Sequence, residues 1–472
     1  MRRPLLLIAL GFVSLPALAS AQKPAGPAAP RIPVESYTLP NGLTVLLSVD
    51  HSAPVVAVDV EHHVGSKNEE VGRTGFAHLF EHVMFTGSGH VPYGMRDKLA
   101  EGVGGNNNGS TNNDKTNFYE TVPSNYLETE LWLEADRLGW LLDALDIAKL
   151  NAQRDIVKNE RRQSTDNVPY GRVGEILDAE MYPEGHPYHW PVIGSMADLT
   201  AASEADVKSF FNKWYGPNNS VLVIAGDFNP VQAKAWVKKY FGAIPRGPAI
   251  TRPTVPLPQL TGPKRFVYED NVSLPQLFIS WPGVGVTSAD RAALSIMGSI
   301  LSGDRTQWLT QTFVYDRKTA SSISLRPSMN ENAGDVGLNA VPTPGADLTA
   351  MESAIDSVIE RFKREGPTPE QMKKATASIE FGSYNGLQSM LGKAMQLASG
   401  WIYHANPSWY ATNLAETRAV TAADVKRVAN KYLGPNRIVL SAVPMGKKAL
   451  ASNPDKSTAI TSKFASKAEV GQ

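Results

Sequence analysis

Strand-like runs of apolar residues stand out at Gly42 to Val49 and at Val55 to His63, and again at Asn117 to Val122 and Ser220 to Gly226. Each is short and rich in β-branched residues. Between them the apolar spacing lengthens to that of helices. Phe76, Ala77, Leu79, Phe80, Val83 and Met84 form one such stretch, with Thr74 as a candidate N-cap and Gly75 to permit the entry turn. Residues 125 to 182 read as further helices, and within Leu150 to Gln163 the side chains of Gln153, Ile156, Val157 and Glu160 share one face. Strands interleaved with long helices in this order predict an α+β domain, a mainly antiparallel mixed sheet with helices packed on one face.

The pattern then returns. Ala205-Asp206-Val207-Lys208, Asn212-Lys213-Trp214-Tyr215-Gly216-Pro217-Asn218 and the strand through Val221 recur as Ala423-Asp424-Val425-Lys426, Asn430-Lys431-Tyr432-Leu433-Gly434-Pro435-Asn436 and the strand through Val439, at a constant offset of 218 residues. An offset of that length is a whole domain rather than a solenoid unit. The expected organisation is therefore a signal peptide over 1–21, a disordered linker over 22–33, a first domain over 34–247, a Pro-rich linker over 248–263, a homologous second domain over 264–446 and a disordered tail over 447–472.

Chemistry enters with five residues, His78-Leu79-Phe80-Glu81-His82. On a helix, positions four apart point the same way and the third lies on the neighbouring edge, so both imidazoles and the carboxylate converge. Imidazoles bind zinc well, and a catalytic zinc takes three protein ligands, leaving one position for water whose proton a neighbouring glutamate can accept. Glu81 is the candidate base, His78 and His82 the candidate ligands. The alternative is a pair of ordinary histidines on a half-buried helix. Glu160 offers a third ligand, because a carboxylate on an apolar helix face is costly unless paired or metal-bound; its alternative is a salt bridge to Arg161, Arg162 or a neighbouring helix.

The spacing His78-x-x-Glu81-His82, followed some eighty residues later by Glu160 in the context Asn159-Glu160-Arg161-Arg162, resembles the pitrilysin family of zinc metallopeptidases, the inverzincins. The short branch that contains the mitochondrial processing peptidases and their bacterial relatives is the most similar. Thr74-Gly75-Phe76-Ala77, Gly104-Gly105 through Thr111, Asp136-Arg137-Leu138 and Gly185-His186-Pro187-Tyr188 extend the likeness over nearly the whole chain after the N-terminal run. The resemblance implies one zinc ion per chain on His78, His82 and Glu160, Glu81 as base, and two homologous domains forming half of a clamshell. Several relatives carry a second glutamate seven residues before the distal ligand, where this chain has Gln153. Relatives also pair the substrate backbone with a strand that follows a glycine- and asparagine-rich loop, which implicates Asn108, Gly109 and Thr111; the alternative there is a flexible polar turn.

At the same offset the zinc residues fall on Ile296, Ser299 and Ile300, and no histidine lies nearby, so only one half can be catalytic. Relatives supply an arginine and a tyrosine from the second half, seven residues apart. Here Val314 and Ser321 occupy those columns, and the neighbouring Tyr315 and Arg317 have the wrong spacing and order. Because short members often work as two unlike subunits, the resemblance implies a heterodimer whose partner is a homologous chain lacking the zinc motif and supplying Arg and Tyr, with a homodimer as second choice. The substrates implied are peptides or unfolded segments.

Composition adds bounds. Arg2 and Arg3 precede an apolar run from Leu5 to Leu18 and the small residues Ala19-Ser20-Ala21, the pattern of a cleaved secretory signal, and the expected destination is a bacterial periplasm. The run is broken by Pro16, and no other stretch approaches the ~20 apolar residues of a membrane span. The absence of cysteine excludes disulfides and leaves a metal only nitrogen and oxygen ligands. Forty-six basic against 46 acidic residues give no excess that would attract nucleic acid. Of the other histidines, His62-His63 and the pair His186 and His189 read as surface residues or neighbours of the ligands rather than ligands themselves.

Overall fold

The structure is a computed structural model that describes residues 31–252 and 254–464. The first half contains strands β1 (Glu35–Thr38), β2 (Thr44–Val49) and β3 (Val55–His62), helices α1 (Phe76–Val83) and α2 (Met95–Glu101), and the hairpin β4 (Asn106–Thr111) and β5 (Thr116–Pro123). Helices α3 (Leu127–Ala144), α4 (Ile147–Arg161), α5 (Val173–Met181), α6 (Met196–Ala201) and α7 (Glu204–Trp214) come next, then β6 (Ser220–Gly226) and α8 (Pro230–Phe241). In the second half β7 (Lys264–Asp270) and β8 (Gln276–Pro282) lead to α9 (Arg291–Ser302), the short α10 (Trp308–Thr310), and the hairpin β9 (Ala320–Met329) and β10 (Gly334–Pro342). Helices α11 (Leu348–Glu365), α12 (Pro369–Gly386), α13 (Met390–His404), α14 (Trp409–Ala419) and α15 (Ala422–Tyr432) precede β11 (Ile438–Pro444) and the two-residue β12 (Thr458–Ala459).

Each half builds one six-stranded mixed sheet, in the orders β1-β2-β6-β3-β5-β4 and β12-β7-β11-β8-β10-β9. This is the α+β architecture expected from the alternation of elements, in the two homologous domains expected from the repeat. The strand registers confirm the duplication residue by residue. Gly109 stands opposite Phe118 where Pro327 stands opposite Val336, both at the offset of 218. The offset is not uniform, however: Val60 faces Phe118 where Trp281 faces Val336, so the early strands are displaced by 221 residues and the second copy is three residues shorter around its α9 region.

The packing adds something periodicity does not reveal. One face of the first sheet is covered by α3 and α8, through Leu131, Ala135, Leu138, Ala233, Val237 and Phe241. Its other face is covered by α13, a helix of the second half, whose Met390, Ala394, Leu397 and Ala398 lie against Leu46, Ala57, Val221 and Val223. The exchange is reciprocal. Val173 and Ile176 of α5, from the first half, pack on Phe278, Leu440 and Ala442 of the second sheet. At the 218-residue offset, α5 falls within α13, so the duplicated halves trade equivalent helices. An apolar face of a sheet must be buried, and here each half buries one face of the other.

The expected signal peptide over 1–21 and most of the linker over 22–33 lie outside the described residues. The last part of that linker is ordered: Ile32 is buried, and its N–H donates to the Tyr410 hydroxyl at 2.7 Å. The tail expected to be disordered after Lys447 is also structured as far as Phe464. Its Thr458 and Ala459 extend the second sheet by pairing with Phe266 and Val267 of β7, which offers a free edge for main-chain hydrogen bonds regardless of the tail's polar composition. Among the described residues no helix is long and apolar enough to cross a membrane.

Candidate metal centre

The motif helix α1 is anchored by its apolar side. Phe76, Ala77, Leu79, Phe80 and Val83 are buried, and the Phe80 ring meets Phe210, Phe211 and Tyr215 at 6.0, 5.5 and 5.4 Å between centroids. Burying a side chain of this size contributes about 2–3 kcal/mol, so the helix is held firmly while its polar edge stays free. Thr74 is not the N-cap. That position belongs to Gly75 at φ 88°, where a side chain would press on the Ile193 carbonyl at 2.8 Å. Thr74 instead donates from its hydroxyl to Asp198 at 2.6 Å.

The free N–H groups at the start of α1 are taken by a residue that local patterns did not single out. Glu69 is buried, and its two carboxylate oxygens accept from Gly75 N and Ala77 N, both at 2.9 Å. A carboxylate at a helix N-terminus is stabilised by the exposed N–H groups and the dipole. Burial nevertheless pushes its pKa well up against those bonds. No capping-box spacing connects Glu69 to the helix, which is why the sequence offered no signal for it.

On the exposed edge the donors converge. His82 Nε2 lies 3.1 Å from Glu160 Oε2, and His78 Nε2 lies 3.7 Å from Glu160 Oε1. The three donor atoms all lie within 4.8 Å of one another. Ligands at the usual bond lengths of a tetrahedral zinc stand about 3.3–3.5 Å apart, a spacing the two measured distances bracket. Both imidazoles are held in the neutral, ligating form: burial and then His82 push His78 down to about 4, and burial lowers His82 as well. The donor set, two neutral nitrogens and one carboxylate, therefore fits a zinc ion.

Glu160 reaches the histidines for a different reason from the one its helix face implied. That face is not a core face: Ile156 is 48% exposed, and only Val157 and Leu150 anchor α4. The Glu160 side chain is 42% exposed, so its carboxylate carries little desolvation cost. Of the alternative partners, the two arginines are not the ones that pair with Glu160; the histidines of the neighbouring helix α1 are. Arg161 points inward to Glu175 and Arg162 donates to Asn159 at 2.6 Å, which leaves Glu160 facing the histidines. Gln153 is half-buried two turns earlier and, among the described residues, makes no side-chain hydrogen bond to the ligands.

Glu81 is half-buried beside them and accepts a hydrogen bond from the Thr111 side chain. Burial raises its pKa, the Thr111 bond opposes that, and the Glu160 charge adds to the rise. Asn108, Gly109 and Thr111 sit on β4, which is itself the edge strand, while the strand after it, β5, is enclosed between β3 and β4. Asn106 to Thr111 therefore form a paired strand and not a flexible turn. Gly109 is buried, and a side chain there would lie 3.2 Å from Glu81 Cγ and 3.1 Å from the Phe118 ring. Asn108 is exposed, and its Oδ1 accepts from Gly109 N at 2.8 Å.

His62, His63, His186 and His189 are neither ligands nor surface residues. His62 is buried with Nδ1 2.7 Å from Ser220 Oγ, and His186 and His189 are buried too. His63 Nε2 lies 2.5 Å from Glu331, at the tip of the β9–β10 hairpin of the second half. Asp114 accepts from Glu331 N at 2.8 Å and Tyr188 OH from Asn332 N at 3.0 Å, so this group latches the two halves together. His62 is enclosed by Phe118, Tyr215 and Ser220 of its own half, and of the four only His63 reaches the hairpin of the other half. Tyr315 and Arg317 are exposed, as expected of residues at a helix end.

A two-domain α+β chain with an exchanged helix pair carries His78, Glu81 and His82 on one edge of α1 with Glu160 of α4 facing them, a donor set of the metallopeptidase type. The chain belongs to peptidase family M16, the pitrilysin family: residues 44–186 match "Insulinase (Peptidase family M16)" and residues 201–379 match "Peptidase M16 inactive domain". Among its relatives is the "Zinc protease PqqE" of Helicobacter pylori, 28% identical over 406 residues, which cover 84% of this chain and 90% of that one. The "Probable mitochondrial-processing peptidase subunit beta" of Arabidopsis thaliana is 24% identical over 86% of this chain and 77% of its own length. The crystal structure of a protease from Helicobacter pylori superposes with a TM-score of 0.82 at 26% identity, covering 88% of this chain and all of that one.

Proposed function

We propose that this chain is a zinc-dependent endopeptidase acting on peptides or unfolded polypeptide segments. The observation that carries the reading is the convergence of His78, His82 and Glu160 within 4.8 Å, with Glu81 on the same helix edge. His78, His82 and Glu160 hold the ion; when bound, zinc supplies a positive charge that polarises a peptide carbonyl and acidifies water. Glu81 takes the proton from the attacking water and returns it to the departing amine nitrogen, and its raised pKa suits that exchange. Thr111 orients the Glu81 carboxylate through its hydrogen bond. The open edge of β4 receives the substrate backbone as an added strand, a mode that selects little by side chain.

The chain works as the zinc-bearing subunit of a heterodimer, its homologous partner lacking the motif and supplying Arg and Tyr. The absence of such a pair near Val314 and Ser321 supports this, and similarity to a processing-peptidase beta subunit fits it. The N-terminal apolar run supports export to the periplasm, with the chain starting at Gln22. The deciding experiment is metal analysis and peptide digestion of the purified protein, with and without chelator. Bound zinc and chelator-sensitive cleavage are expected. Zinc without cleavage of any peptide, even with a motif-less homologue added, favours a peptide-binding scaffold, and cleavage confined to ester or lactone substrates marks a different hydrolase. Full activity of the lone chain contradicts the heterodimer.

A further inference from the structure

Glu160 stands one residue from the end of α4, and the segment after it is gripped by the second half of the molecule. Arg161 is fully buried. Its guanidinium donates to Glu175 Oε2 at 2.9 Å, to the Gly194 carbonyl at 3.1 Å and, across more than 300 residues of sequence, to the Phe464 carbonyl at 3.2 Å. The Ser462 hydroxyl donates to the same Glu175 carboxylate, and Phe464 N donates to Ser462 Oγ at 3.1 Å. The strap that delivers these groups is itself fastened. Thr458 and Ala459 pair with β7, Ile460 N donates to the Val267 carbonyl at 3.0 Å, and Lys463 Nζ lies 3.5 Å from Glu180. A second grip lies just beyond the wide turn at Arg162–Asp166. Tyr170, at φ 62°, donates from N to Asp270 at the end of β7 at 2.7 Å and from OH to the Leu274 carbonyl in the β7–β8 turn at 2.6 Å.

Glu160 has no such support of its own. Its partners among the described residues are the two histidines, its side chain is 42% exposed, and its place depends on where α4 ends. Metal ligands must be held within about 0.5 Å of the productive geometry, and the residues behind them typically govern affinity by about 10–100-fold. We propose that the strap Thr458–Phe464 sets the position of Glu160 through Arg161, so that the half without the motif completes the metal site of the half that has it. Arg161 and the strap are positioning elements, and the inference rests on Glu160 being a zinc ligand as proposed above.

The test is a four-way comparison of zinc retention against a competing chelator: the unaltered chain, a truncation after Ser457, E160A, and the truncation in the E160A background. Far-UV circular dichroism and thermal melting of the metal-free proteins monitor the fold. The truncation should weaken zinc retention about tenfold or more in the unaltered chain and less than about twofold in E160A, because the strap acts only through the carboxylate. An equal loss in both backgrounds, or no loss in either, overturns the inference. If E160A itself holds zinc like the unaltered chain, the ligand assignment fails first, and that arm involves no truncation. Should the truncated chain lose its fold, S462A read in the same cycle decides: a loss of about threefold or more that disappears in E160A supports the strap, and no loss overturns it.

Discussion

The duplicated hairpins of the two halves are built on one register and used in opposite ways. In the first half the edge strand contributes Gly109, and the space its missing side chain leaves is taken by Glu81, whose Cγ would lie 3.2 Å from a Cβ there. In the second half the equivalent strand position is Pro327, and the helix gives way instead: a Cβ on Gly298 of α9 would lie 2.7 Å from the proline ring. The helices differ accordingly. Helix α1 keeps His78, Glu81 and His82 half-buried, whereas α9 buries Ile296, Met297, Ile300 and Leu301 and lies against β9. One scaffold thus leaves polar side chains half-buried in one half and builds a solid wall in the other, according to which partner, strand or helix, supplies the side chain at the point of contact. Pro327 also removes a main-chain donor from an exposed sheet edge, which discourages strand addition there.

The sharpest way to break this comparison is to silence one half and then the other. Glu81→Gln should lower turnover by about a thousandfold while zinc stays bound, since general-base catalysis contributes about 10²–10⁴; His82→Ala should lose zinc and activity together, and Ser299→Ala should change activity less than about twofold. Peptide turnover and metal content measured side by side check all three, and zinc loss from E81Q contradicts the assigned roles. The next effect concerns the exchanged helices. Leu397→Ala lies in the second half yet should destabilise the first sheet, by about 2–5 kcal/mol from the cavity it leaves against that core. Denaturant unfolding, with hydrogen exchange protection lost on β3 and β6 rather than on β8, is the expected signature.

A smaller change separates groove from wall. Gly109→Ala should reduce turnover about tenfold or more by crowding Glu81 and Phe118 with little loss of zinc, whereas Pro327→Gly should leave turnover nearly unchanged; steady-state kinetics of the two variants, with metal content, reads the contrast. A further contrast is a pH dependence where α5 meets the second sheet. Burial, then the Asp335 and Glu175 carboxylates, raise Asp178 to about 8, and burial raises Asp335 to about 6. A carboxyl whose pKa is raised on folding binds more protons folded than unfolded, so its contribution is fully present below about pH 4 and is lost as pH climbs toward 8. Asp178→Asn should therefore gain stability relative to the unaltered chain on going from pH 5 to pH 8. A constant difference in melting temperature between those two pH values argues against that titration.

Much of this was legible in the chain. Strands at Thr44–Val49, Val55–His62, Thr116–Pro123 and Ser220–Gly226 lie where short β-branched runs predict them, because sheet interiors select such residues. The His-x-x-Glu-His cluster was legible because helical spacing alone makes its side chains converge. Glu160 was found on a mistaken premise. Its helix face looked apolar from Ile156 and Val157, yet Ile156 is exposed, a distinction that depends on what packs opposite. Glu69 and the latch of His63 with Glu331 were invisible, since each joins residues with no fixed spacing.

By itself the sequence determined what depends on neighbours along the chain: helix and strand periods, the duplicated pattern, and the motif that a single turn of helix assembles. Tertiary structure alone decided which surfaces meet. It exchanged α5 and α13 between the halves, buried histidines that stand at strand ends, ordered the tail as far as Phe464, and carried Phe464 to the residue after Glu160. The reason is physical. Periodicity fixes which face of an element is apolar, but the partner that covers that face is chosen by the free energy of the whole packed chain, and no local spacing encodes it.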